Sequence, residues 1–160
     1  MRKHPVAQVT ISINAQDKLC KDVCQRSRIE ACGLLLGQID GQGNWHIERA
    51  HPLRNIRNSP VYFEFAPEDL LAAELDYPNE IVGVYHSHPT GLAVASSTDR
   101  DNMKRVNLEE QIPWVWLIIS GPFHDEFKLY QESHSRVVAY HHYDALGLCQ
   151  VTVQFEEVLA

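Results

Sequence analysis

Apolar and polar positions along this chain change period several times, and each change marks a predicted element. VAQVTISI, residues 6–13, alternates as an opening strand does. AQDKLCKDVCQRS, 15–27, spaces Leu19, Cys20, Val23 and Cys24 like the face of a helix. EACGLLLGQI, 30–39, reads as a buried strand ending at the turn DGQGN, and WHIERAHPL, 45–53, returns beside it as a hairpin. VYFEF, 61–65, predicts a further strand. APEDLLAAELD, 66–76, has Pro67 and acidic residues in its first turn and a Leu/Ala stripe, which predicts a second helix. EIVGVYHSH, 80–88, is the central strand, TDRDNMKRVNLEE, 98–110, a polar helix, and WVWLIISG, 114–121, a buried strand. EFKLYQE, 126–132, alternates, and SRVVAYHHYD, 135–144, with CQVTVQF, 149–155, predicts two more strands. Strand and helix signals interleave without repeats or a Pro/Gly/Ser-rich linker, so one α/β domain is expected over residues 1–160.

Composition agrees with that reading and removes several function classes. Apolar residues make up 44% of the chain and charged ones 22%, as in a globular protein with a real core. No run approaches the length of apolar sequence that a membrane span needs, and MRKH is followed by PVAQVTISINAQ, which has no apolar signal core. The expected location is the cytoplasm, with no membrane partner. Cys20, Cys24, Cys32 and Cys149 are then expected as buried free thiols, because a cytosolic setting keeps them reduced. A formal charge of −7 without a Lys/Arg cluster argues against nucleic acid.

The chemistry gathers at VGVYHSHPTGLAVASSTD, residues 82–99. Period-two alternation puts the imidazoles of His86 and His88 on one face at a strand end, where side chains can converge, and neutral imidazole is the commonest metal ligand. Asp99 is the nearest carboxylate that can complete a three-ligand site, and Pro89 and Gly91 let the chain turn back toward it. Ser96-x-x-Asp99 also reads as a plain helix capping box. The double-zinc signature H-x-H-x-D-H fails at Thr90 and Gly91. A (β/α)8 barrel needs more chain, and the zinc deaminases need a C-x-x-C that is absent.

His86, His88, Ser96 and Asp99 satisfy His-x-His-x7-Ser-x2-Asp, and Glu30 precedes GLLLG. This pattern resembles the JAMM (JAB1/MPN/Mov34) metalloproteases, as a compact bacterial-type member, over residues 15–132. The resemblance implies an MPN/JAB-like domain: a mixed curved β-sheet flanked by helices, with cytidine-deaminase-like architecture. It implies that His86, His88 and Asp99 hold one zinc per chain, with water completing the tetrahedron. Glu30 would take that water's proton and deliver it to the leaving amine, and Ser96 would donate to the developing oxyanion. Ala95 stands where many members have proline, and the long insertions of the lysine-63-specific members are not evident.

The implied substrate is the C-terminal tail of a ubiquitin-like or sulfur-carrier protein, in deconjugation, precursor processing or an antiphage conjugation system. Such a tail would lie along residues 55–65 as an added strand. A noncatalytic scaffold of the same fold would lack the ligands, and the DNA-repair-associated branch, with H-N-H-P-S-G, differs at Ser87 and Thr90. Cys20 and Cys24 read as core, Trp114 and Trp116 as a packed pair on one face, and HHYD, 141–144, as exposed or packing. Oligomeric state is left open.

Overall fold

The computed structural model describes residues 7–131 and 134–158, so Val6 of the first expected strand and Glu132 of the strand expected over 126–132 lie outside it. The elements are β1 (Gln8–Ile11), α1 (Ile13–Gln25), β2 (Cys32–Ile39), β3 (Trp45–Leu53), α2 (Pro67–Asp76), β4 (Ile81–His88) and α3 (Ser97–Lys104). A π-helical turn, Arg105–Glu109, extends α3. There follow β5 (Val115–Ser120), a small hairpin of β6 (Tyr130–Gln131) and β7 (His134–Ser135), then β8 (Val137–Tyr143) and β9 (Gly147–Phe155). The sheet runs β1-β3-β2-β4-β5-β8-β9 and closes on itself, because β1 pairs in parallel with both β3 and β9. β4 and β5 are also parallel and the remaining ladders antiparallel, so the sheet is mixed, as expected.

Alternation along β5 divides the core. Val115, Leu117 and Ile119 join a cluster containing Ala15, Leu19 and Val23 of α1, with Ile11, Leu35 and Ile47. Trp116 and Ile118 join the opposite cluster, with Val84, Met103, Val106 and Ala73, beneath α2 and α3. Each fully buried Leu or Ile in these layers stabilises the fold by about 1.5–3 kcal/mol. Val84 marks the second face as the one toward which His86 and His88 also project, so the site forms between β4 and α3.

A polar knot fixes the link between α1 and β2. Arg26, at the C-cap of α1, holds both carboxylate oxygens of Asp22 at 2.8 and 2.7 Å and donates to the carbonyls of Leu53 (2.7 Å) and Cys32 (2.9 Å). Tyr85, fully buried next to His86, donates to Asp22 Oδ2 at 2.6 Å. Gly33 permits this approach, since a Cβ there would stand 2.4 Å from the His51 carbonyl oxygen and 2.7 Å from the Tyr85 ring.

Several expectations need correction. VYFEF joins no strand; Asn58 at φ 48° helps turn residues 55–65 into a loop whose Phe63 and Phe65 pack inward. Of EFKLYQE only Tyr130 and Gln131 join a ladder, while Phe127 and Leu129 bury without pairing. The polar helix gives way to the π-helical turn after Lys104. Trp114 lies just before β5 and still meets Trp116 edge-on, with centroids 6.0 Å apart. The four thiols are free, but only Cys32 is buried, and burial pushes it up to about 12; Cys20, Cys24 and Cys149 are half-buried.

Candidate metal centre

His86 and His88 close β4, where His86 pairs with Cys32 of β2 and with Ile118 of β5. Their Nε2 atoms are 3.1 Å apart. Asp99 comes from the first turn of α3 and sets Oδ2 at 3.2 Å from His86 Nε2 and 3.3 Å from His88 Nε2. Three donors with bonds of about 2.0–2.2 Å to one tetrahedral centre stand about 3.3–3.6 Å from one another. The observed triangle is therefore close to one face of such a tetrahedron, and its two imidazoles and one carboxylate are the donor set of a tetrahedral N/O site.

Neighbouring groups orient each donor. His88 Nδ1 donates to the Leu92 carbonyl at 2.8 Å, which orients the ring so that Nε2 faces the trio. The His86 ring stacks on Phe63, with centroids 4.6 Å apart and planes at 24°, and its buried Nδ1 has no partner among the described residues. Asp99 Oδ2 accepts the Ser96 N–H at 3.0 Å while Ser96 Oγ accepts the Asp99 N–H at 3.1 Å, which is a complete capping box. Capping and convergence on the histidines thus occur together. Ser96 is exposed, and the cap uses its oxygen as an acceptor, leaving its hydroxyl proton available.

Burial pushes His86 down, outweighing the Asp99 carboxylate that favours its charged form. Burial acts the same way on His88, but Asp99, the Leu92 carbonyl and Glu30 together leave it raised. Burial would raise Asp99, yet hydrogen bonds from both histidines hold it well below the usual carboxylate range.

Glu30 sits in the link before β2, 4% exposed, with its backbone held on both sides. Its N–H donates to the Ser59 carbonyl at 2.8 Å, and its carbonyl accepts from Asn55 Nδ2 at 3.0 Å. The next residue, Ala31, donates to Ser87 Oγ at 2.8 Å and accepts the Ser87 N–H at 2.9 Å. The Glu30 carboxyl and the ligand atoms of His86 and His88 all lie within 4.8 Å of one another, a looser set than the Asp99 triangle. Burial pushes Glu30 up to about 8; His88 opposes the shift and Asp99 adds to it. A carboxyl that keeps its proton near neutral pH beside three converging donors suits proton transfer.

Beside the trio lies a groove of about 970 Å3. Phe63, Phe65, Leu70, Val84, Val106 and Trp116 supply apolar lining, and Arg57, Glu64, Asn102, Arg105 and Glu110 supply polar groups. All five expected site residues therefore fall at one end of β4, whereas sequence reasoning misses Asn55, Phe63 and Ser87. Only Ser87 leaves a signal: between two histidines facing one side, alternation sends its hydroxyl to the opposite face, where a buried polar group needs a partner. Of HHYD, His141, His142 and Tyr143 are half-buried, with His141 against Trp45 at 5.0 Å and Tyr143 at 4.6 Å, and Asp144 is exposed.

A protein of Desulfitobacterium hafniense, known from its solution structure, covers 95% of each chain at a TM-score of 0.69 and 24% identity, a likeness of fold. A desampylase of Pyrococcus furiosus is 36% identical over 101 residues, 61% of this chain and 64% of the relative. A desampylase of Haloferax volcanii is 38% identical over 76 residues, 45% and 52% of the two chains. The matched stretches thus span less than two thirds of either desampylase. The model of the prokaryotic homologs of the JAB domain matches residues 12–136, a stretch that runs from the start of α1 past the whole trio, and the chain belongs to that family.

Proposed function

We propose that this protein is a zinc-dependent isopeptidase or peptidase that cuts after the C-terminal tail of a ubiquitin-like protein. The observation that carries the reading is the 3.1–3.3 Å triangle of His86, His88 and Asp99 with the buried Glu30 carboxyl beside it. Desampylases among the relatives favour a ubiquitin-like substrate over a sulfur carrier. Retention of all five motif residues counts against a scaffold, and a charge of −7 against a DNA-repair role.

In this reading His86, His88 and Asp99 would hold one zinc, a metal that suits two imidazoles and a carboxylate. Zinc there would supply Lewis acidity for the scissile carbonyl and for an attacking water. Glu30, which the charge of a bound zinc would return from its raised, proton-retaining state to the carboxylate, would accept the water's proton and deliver it to the departing nitrogen, general acid/base work of about 10²–10⁴ in rate. Ser96 donates its unused hydroxyl proton to the oxyanion, and no free histidine stands by to activate it as a nucleophile. The tail lies along residues 61–65, where the backbone groups of Phe63 and Phe65 have no partner among the described residues, and the apolar groove receives its side chains.

The test is cleavage of a ubiquitin-like protein fused or isopeptide-linked through its C terminus, read beside zinc content. Zinc should be near one per chain. A chelator should remove both zinc and activity, added zinc should restore both, and Asp99→Ala should lose both. Full cleavage by protein shown to be zinc-free would refute the reading.

A further inference from the structure

We propose that Asn55 is a positioning residue that couples the tail-receiving segment to the Glu30 carboxyl, an inference that rests on the isopeptidase reading. Asn55 is 7% exposed. Its Nδ2 donates to the Glu30 carbonyl at 3.0 Å and the Tyr62 carbonyl at 2.8 Å. Its Oδ1 accepts the N–H of Arg57 at 3.0 Å and of Glu64 at 3.2 Å. A side-chain amide has two donors and two acceptor lone pairs, so every one is used.

Three of those bonds tie residues 57–64 into one loop, which would be enough to shape it. The fourth leaves the loop and ends on Glu30, whose own N–H is held by Ser59 of the same loop at 2.8 Å. Tyr62 and Glu64, both bonded to Asn55, flank Phe63, whose ring stacks on His86 and whose backbone groups face no partner among the described residues. A tail strand pairing with Phe63 would restrain Tyr62 and Glu64. Asn55 passes that restraint to the Glu30 backbone, so tail binding and placement of the proton-transferring carboxyl become one event. Because a misplacement of about 1 Å can cost about 10²-fold, a link of this kind affects turnover as well as binding.

The test compares wild type with Asn55→Ala and Asn55→Asp; the second keeps the shape but turns two donations into repulsion between oxygens. Backbone hydrogen exchange, zinc per chain, kcat and KM are read in each. Exchange should quicken at Glu30, Arg57 and Glu64 in Asn55→Ala and at Glu30 in Asn55→Asp, whose Oδ1 still accepts from Arg57 and Glu64, with the β4 and β5 amides and zinc content unchanged. Turnover should fall about 10- to 100-fold, and Asn55→Ala added to Glu30→Gln should slow it no further. In wild type, a synthetic peptide copied from the C-terminal tail of an archaeal ubiquitin-like modifier should slow exchange at Glu30 as well as at Tyr62–Glu64, a measurement that stands if a variant fails to fold. Wild-type turnover in Asn55→Asp, or tail-induced protection of the loop that leaves Glu30 unchanged, would overturn the coupling. A wild type that cleaves no fusion overturns the isopeptidase reading instead, and the exchange pattern of the Asn55 variants then decides the clamp by itself.

Discussion

Replacing Glu30 by glutamine in chelator-treated protein should change how stability depends on pH. The carboxyl is 4% exposed, and burial, opposed by His88 and reinforced by Asp99, pushes it from 4.5 to about 8. A folded-state value above the unfolded one means that the unfolded chain gives up its proton first as pH rises. The contribution of this group is therefore complete below 4.5, is lost through the window from 4.5 to about 8, and changes no further above it. One proton alters stability by about 1.4 kcal/mol per pH unit, which gives a loss of about 3 kcal/mol by pH 7 and a ceiling of about 5 at the end of the window. Relaxation around the buried charge lowers the measured figure, so about 2–4 kcal/mol is expected at pH 8.

Glutamine keeps the shape of the side chain and removes its titration. Urea unfolding of both proteins, zinc-free, at about pH 5 and about pH 8 isolates the effect, because other titrating groups are common to both and cancel in the difference. The two should be nearly equal at the lower pH, and Glu30→Gln should be the more stable at the higher. Curves that stay parallel across this range would refute the assignment of a buried, proton-retaining carboxyl. The expected result would make Glu30 a residue that costs stability where its chemistry is needed.

Ser96→Ala should keep zinc but lower turnover by about 10²–10³, and losing the N-cap of α3 should cost about 1 kcal/mol of stability. Fluorophosphonates should leave wild-type Ser96 unlabelled; covalent labelling there, seen by mass spectrometry, would point to a serine hydrolase instead. Arg26→Met should destabilise by about 3–5 kcal/mol in urea unfolding, because Asp22 keeps a buried charge without its partner, whereas Tyr85→Phe should cost about 1–2 kcal/mol.

Local pattern carries most of the strands and helices and part of the site, but not the contacts that join them. His86 and His88 are legible because period two settles their face without reference to any other element. Glu30 and Asp99 need the motif, since a lone carboxylate near a helix end is ordinary. The strand expected at 61–65 shows where alternation misleads: Phe63 and Phe65 do bury, but alternation reports burial and not the presence of a neighbouring edge. EFKLYQE fails for the same reason. Closure of the sheet through the parallel β1–β9 ladder joins the two ends of the chain, and no local window contains it. The Asp22–Arg26–Tyr85 knot and the Asn55 bonds to Glu30 and Tyr62 likewise depend on contacts that only the folded chain creates.

The relation between Ser96 and Asp99 explains one spacing in the motif physically. At the sequence level a capping box and a metal ligand compete as explanations of Ser-x-x-Asp. In the structure the same Asp99 Oδ2 accepts the Ser96 N–H and faces both histidines. An N-cap residue and the residue three positions on are the pair whose side chains can satisfy each other's backbone N–H groups, so a two-residue gap is a demand of the helix start. Once that demand is met, the carboxylate is held at the positive end of α3, which favours its ionised form, and the serine hydroxyl proton stays unspent. The spacing then places a ligand and an oxyanion donor side by side as a consequence of helix initiation. The seven residues between His88 and Ser96 answer a different requirement, since they must bring that helix start back to the end of β4, with the Leu92 carbonyl orienting His88 on the way. Proline before the serine is dispensable on this argument, because Ala95 is already buried and its N–H faces the Tyr140 hydroxyl at 3.3 Å, a bond that proline could not make.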